Sequence, residues 1–249
     1  MTTAEKLIKL NEGVEQVAEC NEQLTQILAG TDTGAKGYYD YFWDNYQNNG
    51  NRTNYDTAFA GEGWSREMFA PKHDIVVESG YMMFKSICAN GEAFSLPERL
   101  AELGVSLTIT GNVQYLFYFA NLTEIGAIDC TYPSRPNVIT TIRDVFNDCK
   151  ATKIGPVKFK ETDTLSNVFL KCANLVDLSI DGVIGQNGLD LQYSTKLSKS
   201  SITNVIEHLS TTATGKSATL SKTAVNNAFT TDEWNALAAT KSNWTISLV

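Results

Sequence analysis

Five cysteines and two histidines are the side chains of this 249-residue chain with the widest chemistry. Neither set is spaced to use it. Cys20, Cys88, Cys130, Cys149 and Cys172 form no C-x-x-C pair, and their odd number argues against a disulfide framework and against a zinc site. Cys149 and Cys172 stand three residues after Phe146 and Phe169, where Ala120 stands after Phe117. They therefore read as small core residues with reduced thiols. His73 and His208 lie far apart in unlike contexts, so no Ser/His/Asp or Cys/His arrangement and no metal centre can be drawn from them. His208, between Glu207 and Leu209, reads as an exposed residue of a terminal repeat helix.

Two stretches resemble ligand loops without meeting their requirements. Residues 210–217 end in Gly215-Lys216-Ser217 as a phosphate-binding loop does, but the first glycine is missing and the preceding pattern is helical. Such a loop needs a strand before it and a helix after it. Residues 181–190 offer oxygen ligands but not calcium-loop spacing, and read as an irregular turn left by an insertion. Asn51, Asn121 and Asn243 head Asn-x-Ser/Thr triplets, which carry meaning only behind a secretory signal. The expectation is a chain without catalytic residues, cofactor or metal, and no enzyme.

The composition is 43% hydrophobic and 19% charged, which suits a folded soluble chain. A net charge of −8 argues against nucleic acid as a partner, because phosphate recognition rests on clustered Lys and Arg. No apolar run approaches the roughly 18 residues that cross a bilayer, so no membrane insertion is expected. The first residues, Met1-Thr2-Thr3-Ala4-Glu5-Lys6, lack the pattern of a signal peptide. The expectation is a protein that stays in the cytoplasm or leaves it by another route than general secretion.

The elements that would position any site are announced by a repeat. Val113-x-x-Leu116-Phe117-x-x-Ala120, Ile142-x-x-Val145-Phe146-x-x-Cys149 and Leu165-x-x-Val168-Phe169-x-x-Cys172 share one spacing. A second apolar set follows each: Leu122, Ile125, Ile128; then Ala151, Ile154, Val157; then, after one inserted residue, Leu175, Leu178, Ile180. The spacing predicts a short helix and one buried parallel strand per unit. The phenylalanines recur at intervals typical of leucine-rich repeats. Such a unit cannot bury its own apolar face and must stack on its neighbours, so the expected fold is an α/β leucine-rich repeat solenoid with capped ends.

Less regular units flank these three. Phe84, Ile87, Phe94 and Leu96 begin a first one, with a helix over 97–103 and a strand carrying Val105, Leu107 and Ile109. Ile202, Val205, Ile206 and Leu209 repeat the helix pattern once more. Thr230-x-x-Glu233 is a capping box ahead of a helix with Trp234, Leu237 and Ala238, and Trp244, Ile246 and Leu248 alternate as a closing strand. At the other end, Leu7, Val14, Asn21 and Leu28 alternate with Leu10, Val17 and Leu24 in an unbroken heptad. Asn21 is the polar residue that fixes register, and Ala18, Cys20 and Ile27 widen the apolar face beyond a dimer seam. The expectation is a coiled-coil stem that assembles a homo-oligomer, a parallel trimer; the alternative is an amphipathic helix packed on its own domain. The predicted organisation is thus a stem over 1–30, an aromatic linker and N-terminal cap over 31–75, a repeat solenoid over 76–199, and a terminal repeat with C-terminal cap over 200–249. The cap would draw on Tyr39, Phe42, Trp43, Tyr46, Tyr55, Phe59, Trp64 and Phe69.

The units from Phe117, Phe146 and Phe169, with Cys149 and Cys172 before the strand, resemble BspA-type leucine-rich repeats. The run from Tyr41-Phe42-Trp43-Asp44-Asn45-Tyr46 to Asn54-Tyr55, Trp64 and Phe69-Ala70-Pro71-Lys72-His73-Asp74-Ile75 is similar to a narrower group. Its members are leucine-rich repeat proteins of phages and prophages of gut and other Gram-positive bacteria, mostly encoded near tail genes. Gly215–Leu220 and Asn243-Trp244-Thr245-Ile246 resemble that group's closing cap. The resemblance spans about residues 38–249. It implies a non-enzymatic virion or tail-associated structural protein, displayed for host attachment. Its partners would be other tail proteins and a host surface glycan or protein. A bacterial cell-surface adhesin of BspA type and an intracellular protein-binding scaffold are the alternatives.

Overall fold

Phe84, Phe117, Phe146 and Phe169 form one column of buried rings in the computed structural model, which describes residues 58–61, 63–131 and 141–249. Successive ring centroids lie 5.1, 5.8 and 5.4 Å apart, with planes tilted by 3°, 4° and 7°. Rings stack in this way only if each phenylalanine occupies the same place in its unit and the units repeat one backbone path. The three aligned phenylalanines of the sequence pattern behave as expected, and Phe84 extends them by one.

The strands explain the regularity. In chain order the elements are β1 (Ile75–Ser79), β2 (Phe94–Ser95), α1 (Leu96–Leu103), β3 (Leu107–Asn112), β4 (Leu122–Ile125), β5 (Ile128–Asp129) and β6 (Thr141–Arg143). Then come β7 (Lys153–Lys158), β8 (Thr164–Ser166), β9 (Asp177–Ile180), β10 (Leu189–Leu191) and α2 (Lys199–Glu207). The last are β11 (Lys216–Leu220), α3 (Lys222–Ala228), α4 (Thr231–Ala239) and β12 (Trp244–Leu248). All the strand pairs among the described residues are parallel: β1 with β3, β2 with β4, β6 with β8, β10 with β11 with β12, and β7 with β4 and β5 on one side and β9 on the other. The described residues thus make a mixed α/β structure of parallel sheets with four helices and no closed barrel. Ile125 pairs with Ile154 and Ile154 with Leu178, while Ile128 pairs with Val157 and Val157 with Ile180. These are the partners that the apolar spacing predicts. The third unit is one residue shorter between those positions, and β7 takes up the difference in a bulge at Gly155, where φ is 117° and a β-carbon would strike the carbonyl of Ser179.

One expectation is corrected. Residues 113–120, 142–149 and 165–172, predicted as short helices, are instead chains of turns over 114–119, 145–148 and 168–171, with Ile142 and Leu165 in β6 and β8. Alternate N–H groups leave the unit altogether: Phe117 N donates to Val145 O at 2.8 Å, Phe119 N to Asn147 O at 3.0 Å and Phe146 N to Val168 O at 2.9 Å. The groups between them close four-residue turns, as Ala120 N does on Phe117 O at 3.0 Å. A donor bonded to the next unit cannot also bond the carbonyl four residues back, so no α-helix forms. Tyr115, Phe119, Asp144, Asp148, Asn167 and Lys171 take left-handed φ between 52° and 60° to make this possible. The apolar period is the same in both structures, which is why spacing alone pointed to a helix.

Where a true helix takes over, it does so with a change of partner. α2 starts from Ser198, whose side chain accepts from Ser201 N, and buries Ile202, Val205 and Ile206. Its Ser201 Oγ and Asn204 Oδ1 accept from Leu178 N at 2.9 Å and Ile180 N at 2.7 Å. Side chains of the helix thus complete the outer edge of β9 in place of another strand. The predicted helix over 97–103 and the capping box at Thr230 and Glu233 are both present, as are the strands around Leu107 and from Trp244. Of the aromatic cap, Phe59 and Phe69 are fully buried and pack on Phe84 at 5.3 and 5.7 Å. Tyr39, Phe42, Trp43, Tyr46 and Tyr55 lie outside the described residues, as does the whole heptad.

Candidate binding surface

Along β4, β7 and β9 every residue that points inward is apolar, so the outward positions of the same strands form one continuous exposed face. Two rows of charge cross it. Glu124, Lys153 and Asp177 stand in register on β4, β7 and β9. Lys153 Nζ lies 2.6 Å from Glu124, and that contact holds the ammonium above its ordinary pKa. Asp129, Lys158 and Asp181 make the second row, with Lys158 Nζ 4.0 Å from Asp129. Each row has two carboxylates for one ammonium, so each is acidic by one charge. Between them the outward positions are small or flat: exposed Ala127, Pro156 and Ser179, with Gly126 and Gly155 half-buried.

The result is a pair of shallow grooves on either side of β7. One, of about 280 Å³, is bounded by Thr108, Ala127, Asp129, Pro156, Lys158 and Asp181. The other, of about 260 Å³, is bounded by Lys153, Asp177, Ser179, Ser200 and Asn204. These groups can accept and donate hydrogen bonds and form ion pairs. They include carboxylates, ammonium groups and hydroxyls but no histidine or thiol.

A second surface is aromatic. Tyr81, Tyr115, Tyr118 and Phe119 project from the turn chains of two neighbouring units, with centroids 5.7, 5.7 and 4.2 Å apart along that series. Lys85 Nζ lies 5.8 Å from the centre of the Tyr118 ring, and Phe119 is 40% exposed. Sequence reasoning missed both surfaces. Read as a helix, residues 113–120 direct attention to the apolar stripe, not to the aromatics between its members. The charge rows become visible only once Glu124, Lys153 and Asp177 are aligned by the strand register.

Of the residues weighed for chemistry, Cys20 and Asn51 lie outside the described residues, and the others have the following places. Cys88, Cys130, Cys149 and Cys172 are all buried. Burial pushes the Cys149 thiol up to about 12 and the Cys88 thiol up to about 11, and raises Cys172 as well. Cys172 Sγ lies 2.9 Å from the carbonyl of Phe146, one unit away. His208 is half-buried rather than exposed, at the C-cap of α2 with Nδ1 2.8 Å from Asn204 O. His73 is exposed and far along the chain from it. Lys216 opens a strand, not a helix, and its Nζ donates to Gln186 Oε1 at 2.8 Å, so the loop before it is no phosphate cradle.

In the 181–190 segment, Gly182, Gly185 and Gly188 press on the backbone of Phe159, Glu161 and Leu165, where β-carbons would collide. Asn187 accepts from Ser217 N at 2.8 Å. That loop is packing between units. Asn121 and Asn243 likewise donate to backbone carbonyls, Asn121 Nδ2 to Cys88 O and Gly91 O at 3.0 Å each. Among the described residues no cluster of His, Cys, Asp or Glu could hold a metal ion, and no helix is long and apolar enough to cross a membrane. Leu7, Leu10, Val14, Val17, Asn21, Leu24 and Leu28, the predicted oligomerisation residues, lie outside the described residues. No protein-family model, no curated protein and no solved structure matches this chain.

Proposed function

We propose that this chain is a non-enzymatic display protein. Its units form a leucine-rich repeat solenoid of BspA type, and it is carried on a phage virion, at the tail, for attachment to a Gram-positive host. The observation that carries the reading is the contrast between inside and outside. Phe117, Phe146 and Phe169 repeat with their strands in register, while the outward positions change from Glu124 to Lys153 to Asp177. A constant core with varied outward residues is how a repeat protein makes a binding surface without altering its fold. The strand face with its two charge rows is the surface proposed to bind the host. The heptad over residues 4–29 would gather several copies, and identical surfaces held together gain avidity of about 10²–10⁴ over one.

Antibody raised against the purified chain tests the location. Immunogold label on the tails of purified phage particles is the expected result. Particles that carry no label, while the lysate contains the protein, would remove the virion from the reading.

A further inference from the structure

Among the described residues, the sheet β10–β11–β12 ends on β12. β12 pairs with β11 over five consecutive residues, from Lys216 opposite Trp244 to Leu220 opposite Leu248. No described strand lies on its other side. Val249 N donates to Leu220 O at 3.1 Å and Val249 O accepts from Lys222 N at 2.8 Å, so Val249 faces β11. Backbone groups alternate along a strand, which turns Thr245 and Ser247 toward β11 as well. Ile246 and Leu248 therefore present their N–H and C=O groups to the open edge. The contrast with β9 is sharp, because there Ser201 and Asn204 take up the outward N–H groups.

Natural sheets protect open edges with a charge, a proline, a bulge or a covering element. Trp244-Thr245-Ile246-Ser247-Leu248 has no charge and no proline, and its register with β11 runs without a bulge. Its inward side chains are also incompletely covered. Ile246 and Leu248 are only half-buried, whereas Ala218 and Leu220, their partners on β11, are each 1% exposed.

We infer that β12 is a pairing edge for a second copy of this chain, joined antiparallel about a two-fold axis at Ile246. In that register Ile246 N–H meets Ile246 C=O in both directions, and Leu248 N–H of each copy meets Trp244 C=O of the other. Thr245 of one copy stands opposite Ser247 of the other on the outer face, so hydroxyl meets hydroxyl and apolar meets apolar. The strand is complementary to itself. The net charge of −8 opposes contact between copies over most of their surfaces, and the uncharged strand is a place where two can meet without like charges face to face. The inference is independent of the display reading and of any stem.

The test uses the full chain and two double variants at exposed positions. T245K/S247K places like charges opposite each other across the two-fold, whereas T245K/S247E places opposite ones there. Light scattering at micromolar concentration should give wild type twice the mass of T245K/S247K, with wild-type mass restored in T245K/S247E, all three sharing one circular dichroism spectrum. Amide exchange on the strand reads the edge itself and not assembly elsewhere in the chain. In wild type, exchange protection of the Ile246 and Leu248 amides should fall on dilution. Equal masses for wild type and T245K/S247K, or protection that does not change with concentration, would overturn the proposal. Loss of mass in both variants would overturn the register.

Discussion

Phe146 touches a ring on either side, Phe117 at 5.8 Å and Phe169 at 5.4 Å, and is fully buried. Truncating it leaves a void bounded by two stacked neighbours that the strand register holds apart. Phe146→Ala should therefore cost about 3–5 kcal/mol in urea unfolding. A cost under about 1 kcal/mol would mean that the column is not packed as described. The thiols make a second prediction. Cys149 and Cys172 have raised pKa values because burial disfavours the thiolate, while in the unfolded chain such thiols titrate near their ordinary value of 9.0. Below that value both states hold the proton and pH has no effect through them. Above it only the unfolded state releases its proton, so stability falls as pH rises from about 9 toward about 12 for Cys149. The slope is about 1.4 kcal/mol per pH unit for each thiol. Cys149→Ala, which copies Ala120, should remove one such slope when urea midpoints at pH 8 and pH 10 are compared with wild type. These residues were legible in the sequence because a core position repeats its chemistry. Tyr115 and Phe119 were not, since an aromatic residue at a left-handed φ of 58° belongs to a turn chain that no apolar spacing reveals.

At the scale of elements, strands were easier to read than their connections. A strand announces itself by alternation, and Ile125, Ile154 and Leu178 align by spacing alone, in the register the strands adopt. The turn chain and the α-helix bury residues at the same spacing, and what separates them is where the N–H groups go. Lys171 distinguishes the two experimentally. It is exposed, with φ of 60°. In a helix, Lys171→Gly would cost up to about 1 kcal/mol. In a left-handed turn it should instead stabilise by about 0.5–1 kcal/mol, and Lys171→Val should destabilise by about 1–2 kcal/mol despite its exposure. Thermal unfolding of the two variants decides between them. The switch to a real helix at α2 was visible as one more copy of the pattern, but Ser201 and Asn204 as the groups that finish the sheet were not. Hydroxyl and amide residues on a helix give no sign of a strand edge waiting beside them.

For the whole molecule, the acidic balance and the repeat were legible, and the charged strand face was not, because it is assembled across strands from residues 20 to 30 positions apart, as Glu124, Lys153 and Asp177 are. Reversing the two ammonium groups of that face changes its pattern with little cost to the fold. Both lysines are half-exposed or more, and exposed ion pairs contribute up to about 1 kcal/mol. The most direct test of the display reading is therefore the binding of the labelled full chain to Gram-positive host cells, wild type against Lys153→Glu/Lys158→Glu. Saturable binding by wild type is predicted, at least about tenfold weaker in the variant at an unchanged unfolding midpoint. No soluble wall fragments should appear. Equal binding by the two proteins, or release of cleaved wall material by wild type, would contradict it.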